Sequence, residues 1–347
     1  MILSLPEIIY GEINKQKKLL NILTKNKKAF LIVDQNTLKC RELLRDSFLY
    51  KIPYLTLKSG EENKSINQIN QIWSFLNHQK ATRNDIVFLL GGGVICDMGG
   101  FAASTFKRGL DFVNIPTSLL AMVDASIGGK TGFNFNHLKN NIGTFNHPIK
   151  IFNDVTFLKT LPKNELISGM AEIFKHAIIS DPSLWNYLKE NLNENLNFSF
   201  LIKKSADLKT KIVQKDPYEK GVRKSLNLGH TVGHAIESFL LEKKTATMHG
   251  FAVAKGLIIE SFIAYRIKLT SEQTFLEIKK ILTEYFGDNL NLNIDLQRVM
   301  SLMRGDKKNS NHKINFTLPI SIGSVLIDQE IDFNTVEKII LEFLKND

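Results

Sequence analysis

Two histidines four residues apart, His230 and His234 in the segment HTVGH, lie in a stretch with helical periodicity, so their imidazoles share one helix face. Such a pair can hold a metal ion, as in HExxH peptidases. Here, however, the second position is Thr231 and the peptidase's general base is missing, which argues against a peptidase. His249 follows nineteen residues after His230, and Glu172 lies in the helix-periodic GMAEIFKHAI. Two nitrogens and an oxygen with an open position suit catalytic zinc. Taken singly, each histidine reads as a cap or core residue; their clustering beside glycines favours the metal reading.

A second constellation is Gly91-Gly92-Gly93-Val94-Ile95-Cys96-Asp97-Met98-Gly99-Gly100, directly after the apolar run DIVFLL. Consecutive glycines at the end of a strand let the backbone turn sharply, and a helix starting there offers free N–H groups to a phosphate. The pattern is not GxGxxG, so nucleotide binding and a tight packing turn both remain open. Asp34, ending an earlier run, can accept a bond from a ribose hydroxyl or simply make the turn. A third set comprises Lys107-Arg108-Gly109, Asp124, Gly128-Gly129-Lys130-Thr131-Gly132, Lys139-Asn140-Asn141, Lys175, Lys209 and Arg223. A P-loop would need glycine where Asp124 stands, which disfavours an ATPase. Many cations beside a few carboxylates suit a phosphorylated, carboxylated, polyhydroxy substrate.

These residues need elements to hold them. Lys28–Asp34 and Asp85–Leu90 read as buried strands of a parallel sheet, with a helix at Ser65–Gln79 between them. That rhythm predicts a doubly wound α/β domain over residues 1–160. Beyond it the segments become helix-periodic: Lys163–Ser180, Ser183–Asn191, Phe198–Asp216, Ser225–Leu241, Gly250–Ile267 and Ser271–Phe286, with a strand only at Lys313–Leu318. A mainly α-helical domain over 161–347 is expected, and Asn191–Asn197 reads as a loop.

The composition of the 347 residues, 43% hydrophobic and 23% charged, is that of a folded globular protein. The formal charge of +10 comes from lysine pairs scattered along the chain rather than one basic patch with aromatics, so nucleic acid is not expected as a partner. Cys40 and Cys96 form no CxxC pair and fit a reducing compartment. The apolar stretch at the N-terminus precedes its basic residues, the wrong order for a signal peptide, and no run approaches the ~18 residues of a membrane span. A cytoplasmic location is expected.

The order and spacing of SGEENKS (59–65), GGGVICDMGGFAASTFKRG (91–109), IPTSLLAMVDASIGGKTGFN (115–134), KNNIGTF (139–145), GMAEIFKHAI (169–178), RKSLNLGHTVGHAIE (223–237), MHG (248–250) and DKKN (306–309) resemble the 3-dehydroquinate synthase family. This is a sugar phosphate cyclase group sharing a fold superfamily with glycerol dehydrogenase-type enzymes. The resemblance implies a Rossmann-like domain, a helical domain, and an active site in the cleft between them. It implies zinc or cobalt on Glu172, His230 and His249. Asp34, Asn36, Glu61, Lys64, Gly92, Gly93, Val94, Asp97, Thr117, Ser118, Asp124, Lys130, Lys139, Thr160 and Leu161 would bind NAD. Substrate would meet Lys130, Asn140, Lys175, Lys209, Arg223, Asn227, His234, Asp124 and one of Lys307 and Lys308, with Arg108 reaching the phosphate site from the other subunit of a homodimer.

The family's lyase reaction turns 3-deoxy-D-arabino-heptulosonate 7-phosphate into 3-dehydroquinate and phosphate, the second step of the shikimate route to chorismate and aromatic amino acids. NAD⁺ transiently oxidises C5, phosphate leaves by β-elimination, hydride returns, and the opened ring closes by an intramolecular aldol. His234 and Lys175 would handle protons. Another sugar phosphate cyclase and a polyol dehydrogenase are the alternatives; Arg223 and Asn227 favour a carboxylated substrate. Two departures from the family pattern stand out: most relatives read HGE where this chain has His249-Gly250-Phe251, removing a carboxylate beside the ligand, and Cys96 replaces a usual glycine.

Overall fold

The computed structural model describes residues 5–136, 138–192, 196–243, 245, 247–304 and 312–346. The chain forms two compact units, one of residues 1–166 with 198–210 and the other of 167–197 with 211–347. In chain order the first unit carries β1 (Glu7–Tyr10), α1 (Lys17–Leu23), β2 (Ala29–Asp34), α2 (Leu38–Arg41), β3 (Tyr54–Leu57), α3 (Ile66–His78), β4 (Ile86–Gly91), α4 (Gly93–Thr105), β5 (Asp111–Pro116), β6 (Lys130–Phe135), β7 (Leu138–Phe145) and β8 (Lys150–Asn153).

Six of these strands build one parallel sheet in the order β1-β8-β5-β4-β2-β3. All residues of β2 (AFLIVD) and β4 (IVFLLG) are buried, as expected for strands covered on both faces. On α3, Gln68, Ile69, Ile72 and Leu76 are buried at helical spacing, and Ile69, Ile72 and Leu76 join Leu89, Ile95 and Phe112 in the core. Trp73 closes one side of this layer by donating its indole N–H to the Ala102 carbonyl at 3.1 Å. After β2 the chain runs outward to β3 at the edge and returns to β4 beside β2, then continues to β5 on β4's other side. The order therefore reverses at β2 and β4, and ligands of such sheets bind beyond the carboxyl ends of strands at that point. Asp34 and Gly91–Gly93 are there.

The helices α5 (Lys163–Ser180), α6 (Pro182–Glu190), α7 (Phe198–Lys215), α8 (His230–Glu242), α9 (His249–Arg266), α10 (Glu272–Phe286) and α11 (Leu296–Arg304) follow, then the hairpin β9 (Lys313–Ser321) and β10 (Ser324–Asp332), and α12 (Phe333–Asn346). The second unit is centred on α9, buried along Gly250–Ala264. Phe174 of α5 meets Trp185, Tyr285 and Phe286, with ring centroids 6.1, 5.2 and 5.9 Å away. None of the described helices is long and apolar enough to cross a membrane.

Two expectations are corrected. The helix read from Ser225 begins at His230, because Val222–Asn227 forms a 3₁₀ turn and Gly229 adopts φ +78°, a left-handed conformation that interrupts the helix. The strand read at Lys313–Leu318 is half of an antiparallel hairpin: β10 (SVLIDQEID) alternates with mostly exposed polar residues, and only its pairing with β9 makes it a strand.

Asp85 ties the start of β4 to β2, since its carboxylate accepts the Lys28 N–H at 2.8 Å and the Thr82 N–H at 2.6 Å. Burial opposes its charge, and these donors outweigh burial and hold its pKa below the ordinary value. A depressed carboxylate stabilises the fold above the unfolded pKa of about 4 and loses that contribution as pH falls through the lower folded value. We expect Asp85→Asn to cost about 1.5–3 kcal/mol at pH 7 and to flatten the decline in stability below about pH 4, as measured by urea unfolding.

Candidate active site

The helical unit brings four ionisable groups from three helices together. Glu172 on α5 is 0% exposed, and among the described residues its Oε1 accepts no hydrogen bond. Its Oε1 lies 3.5 Å from His230 Nε2 and 3.8 Å from His249 Nε2, and its Oε2 pairs with the Lys175 ammonium one helical turn on. His234 joins them: the His230, His234 and His249 rings have centroids 4.9–5.7 Å apart, and one nitrogen of each lies within 4.8 Å of the others.

The outer nitrogens of both facing imidazoles are spoken for. His230 Nδ1 lies 3.0 Å from the Leu228 carbonyl and His249 Nδ1 lies 3.3 Å from Glu237 Oε2, which leaves Nε2 of each directed at Glu172. Burial, and then the Lys175, His234 and His249 charges, hold the His230 pKa well below its ordinary value, so the ring is neutral and its Nε2 lone pair available. With bonds of about 2.0–2.2 Å, ligand atoms of a tetrahedral zinc site stand roughly 3.3–3.6 Å apart, close to the Glu172–His230 spacing. The donor set thus fits a borderline divalent cation, which would also meet the buried carboxylate oxygen that Lys175 leaves unpaired by charge. Gly250 makes this convergence possible: a Cβ there would fall 1.9 Å from the Ser168 carbonyl oxygen, so any larger residue would push the start of α9 away from α5.

Arg223 and Asn227 lie on the 3₁₀ turn just before α8, and Arg223 is 2% exposed. Asp216 folds the preceding loop by accepting N–H bonds from Lys220, Gly221 and Arg223 at 3.0, 2.6 and 3.1 Å. Burial opposes the Asp216 charge and these amides outweigh it, pulling the carboxyl below its ordinary value. Arg223 Nη1 donates to the Pro217 carbonyl at 2.6 Å, and Asn227 donates to Glu219 Oε1 at 3.0 Å. Lys307 and Lys308 lie outside the described residues.

In the sheet unit, Gly92 is the N-cap of α4 and Gly93 its first residue, at the end of β4. Ser118 faces Gly92, its Oγ 3.5 Å from where a Gly92 Cβ would stand, and Thr117 N–H donates to the Gly91 carbonyl at 3.0 Å. Val94 is partly buried against the core, and Leu161 ends the turn that holds Thr160, whose Oγ lies 3.2 Å from Cys40 Sγ. Asp34 Oδ1 accepts from Thr37 N–H at 2.8 Å and from its hydroxyl at 2.9 Å, which closes the turn after β2 and leaves Asn36 exposed on it.

Lys64, 3% exposed, donates to Asp97 Oδ2 at 2.5 Å and to Asn140 Oδ1, with Glu61 Oε1 at 4.0 Å. Burial works against its charge, and the carboxylates of Asp97 and Glu61 outweigh it and hold Lys64 above its ordinary pKa. A second buried cation, Lys209 on α7, donates to the Asp124 carboxylate at 2.5 Å and its carbonyl at 2.7 Å. Asp124 lies in a five-residue π-helical segment, Ala121–Ala125, a conformation common at functional sites. Lys130, Lys139, Asn140 and Arg108 are exposed, Arg108 in a left-handed conformation at φ +69°.

Several residues escape a reading of sequence alone. Asn134 bonds Glu61 Oε1 through its amide at 2.9 Å and accepts the Asn140 N–H at 2.8 Å, a link made only by tertiary pairing of β6 and β7. Glu237 was legible in principle, because it stands seven residues after His230 and three after His234, on the same helix face. Phe251, beside the metal-site His249, packs edge-on to Phe286 with centroids 6.3 Å apart, so that position serves the core. The Cys96 thiol is buried, and burial followed by the Asp97 charge pushes its pKa up, leaving it an inert core group.

Comparison with known proteins points to one family. Residues 54–168 match the family model "3-dehydroquinate synthase N-terminal" and residues 169–309 match "3-dehydroquinate synthase C-terminal". The chain is 41% identical over 320 residues to the 3-dehydroquinate synthase of Parabacteroides distasonis, covering 90% of this chain and 89% of that protein. It is 39% identical over 327 residues to that of Campylobacter concisus, covering 93% and 91%. Among solved structures it resembles a 2-deoxy-scyllo-inosose synthase complexed with carbaglucose-6-phosphate, NAD⁺ and Co²⁺, with TM-score 0.86, 22% identity and 96% of each chain covered. It also resembles 2-epi-5-epi-valiolone synthase from Streptomyces hygroscopicus with NAD⁺ and Zn²⁺ bound, with TM-score 0.85, 21% identity, and 99% and 97% covered. The fold is that of the sugar phosphate cyclases. Within that class, the chain belongs to the 3-dehydroquinate synthase family.

Glu172→Gln removes the buried charge without changing the side chain's volume, and His230→Ala removes one nitrogen donor. We expect both to lose bound divalent metal after dialysis, as read by elemental analysis, while circular dichroism stays that of the unaltered protein. Full metal content in either variant would remove that residue from the cation site.

Proposed function

We propose that the protein converts 3-deoxy-D-arabino-heptulosonate 7-phosphate to 3-dehydroquinate and phosphate, with Zn²⁺ or Co²⁺ on Glu172, His230 and His249 and with NAD at the carboxyl ends of β2, β4 and β5. The observation that carries this reading is the buried Glu172 carboxylate facing two imidazole Nε2 atoms, in a chain whose relatives carry out this reaction. When bound, NAD supplies a hydride acceptor that returns its hydride within the turnover, and the divalent cation supplies a Lewis acid.

The chain's own residues do the rest. Arg223, oriented by Pro217 and by the Asp216-folded loop, binds the substrate carboxylate, and Asn227 bonds a neighbouring oxygen. His234 and Lys175 hold and move protons at the substrate hydroxyls, and the Lys175 ammonium is kept beside the reacting oxygens by Glu172. Lys64 and Asp97 order the loop around the dinucleotide, and Lys139, Thr160 and Leu161 line it. Lys64 and Asn134 hold Asn140, which with Lys130 meets the substrate, and Lys209 anchors Asp124 beside them. The enzyme works in the cytoplasm as a homodimer, with Arg108 of each chain completing its partner's phosphate site.

Phosphate release should be stoichiometric with 3-dehydroquinate and leave no net NADH at its absorbance band. Net NADH would instead mark a polyol dehydrogenase, and no turnover by metal-loaded protein would turn the search to other sugar phosphates. Arg223→Lys should raise KM by about ten- to a hundredfold, the worth of a charged hydrogen bond of roughly 1.5–3 kcal/mol, with a smaller effect on kcat; unchanged kinetics would remove Arg223 from the carboxylate site.

A further inference from the structure

Glu260, eleven residues after His249 on the same helix, is 0% exposed and lies outside the donor set described above. A buried carboxylate is costly unless its oxygens are bonded. Those of Glu260 are: Oε2 accepts the Gly229 N–H and Oε1 accepts the Val232 N–H at 2.9 Å. These two amides flank His230. The N-cap position of α8 is Gly229, which has no side chain to bond the free amides of the first turn. α9 supplies that cap from outside, and it passes close enough to do so: a Cβ on Gly229 would stand 2.7 Å from Leu257 Cγ, one turn before Glu260. The negative charge also lies at the positive end of the α8 dipole.

The first turn of α8 determines where His230 and His234 point. With Gly229 and Val232 bonded to Glu260, and His230 Nδ1 against the Leu228 carbonyl, the His230 ring is constrained from its backbone and its outer nitrogen at once. The helix that starts with His249 therefore also braces the helix that carries His230. We infer that Glu260 is a positioning residue for the cation site, holding the α8 histidines in register with Glu172 and His249 before the cation arrives. The inference rests on the assignment of the cation to Glu172, His230 and His249.

The test titrates Co²⁺ into the metal-free full-length protein against a competing chelator, reading the visible d–d absorption. It is run below the unfolding temperature of each variant, with circular dichroism confirming the fold. Glu260→Gln keeps the shape but places an amide NH₂ against a backbone N–H. We expect its Co²⁺ affinity to fall about 10- to 100-fold, with altered band shape, as when partners that orient metal ligands are lost. Unchanged affinity and bands in folded Glu260→Gln, even with a lower Tm, would show a cap that serves stability alone and overturn the inference. If Glu260→Gln does not fold, Glu260→Asp, which keeps the charge on a shorter arm, is measured in the same way: weaker Co²⁺ binding supports the inference and unchanged binding overturns it. Absence of Co²⁺ bands in the unaltered protein would overturn the cation assignment itself, and the inference with it, an outcome distinct from a failure confined to Glu260.

Discussion

A carboxylate with no solvent exposure must be met by positive charge, and Glu172 imposes that condition on the helical unit. Lys175 answers it on one oxygen; on the other, two imidazole nitrogens stand at the spacing of ligand atoms around a cation. The surrounding architecture follows from keeping these groups together. Gly250 lets α9 touch α5, Gly229 ends the turn from which α8 departs, and Glu237 and the Leu228 carbonyl take the outer nitrogens. The contacts come from α8, α9 and the turn that precedes α8, so the site is specified by packing as much as by its donors.

The sheet unit solves a related problem with internal ion pairs. Lys64 with Asp97, and Lys209 with Asp124, are cation–carboxylate pairs with the cation almost fully buried. Such pairs contribute little net stability compared with well-packed apolar residues, so their presence is better explained by what they orient. Here they fix Asn140 and the π-helical segment through Asp124, and the glycine turn between β4 and α4 leaves backbone amides available for an anion.

Departures from the usual family pattern become physically intelligible in the folded chain. With Phe251 after His249-Gly250, the carboxylate beside His249 comes from Glu237, which reaches its Nδ1 from α8, while Phe251 extends the aromatic cluster of Phe174, Tyr285 and Phe286. Cys96 adds a small buried thiol to α4, next to Asp97, which keeps its ion pair with Lys64.

Periodicity alone determined the alternating strands and helices of the first unit, the helical character of the second, and the shared face of His230 and His234, because these are local consequences of residue spacing. Composition argued against disorder, and the scatter of lysine pairs along the chain gave no sequence sign of one basic face. The order of the short motifs carried the family, which both family models match. What the tertiary structure decided was non-local. The start of α8 at His230 depends on a left-handed glycine, the strand β10 on its partner β9, and the link from Glu61 through Asn134 to Asn140 on a hairpin that pairs distant residues. Glu260 is the clearest case: a lone glutamate in an apolar helix carries no spacing signal, and only the packing of α9 against α8 gives its carboxylate two amides to hold.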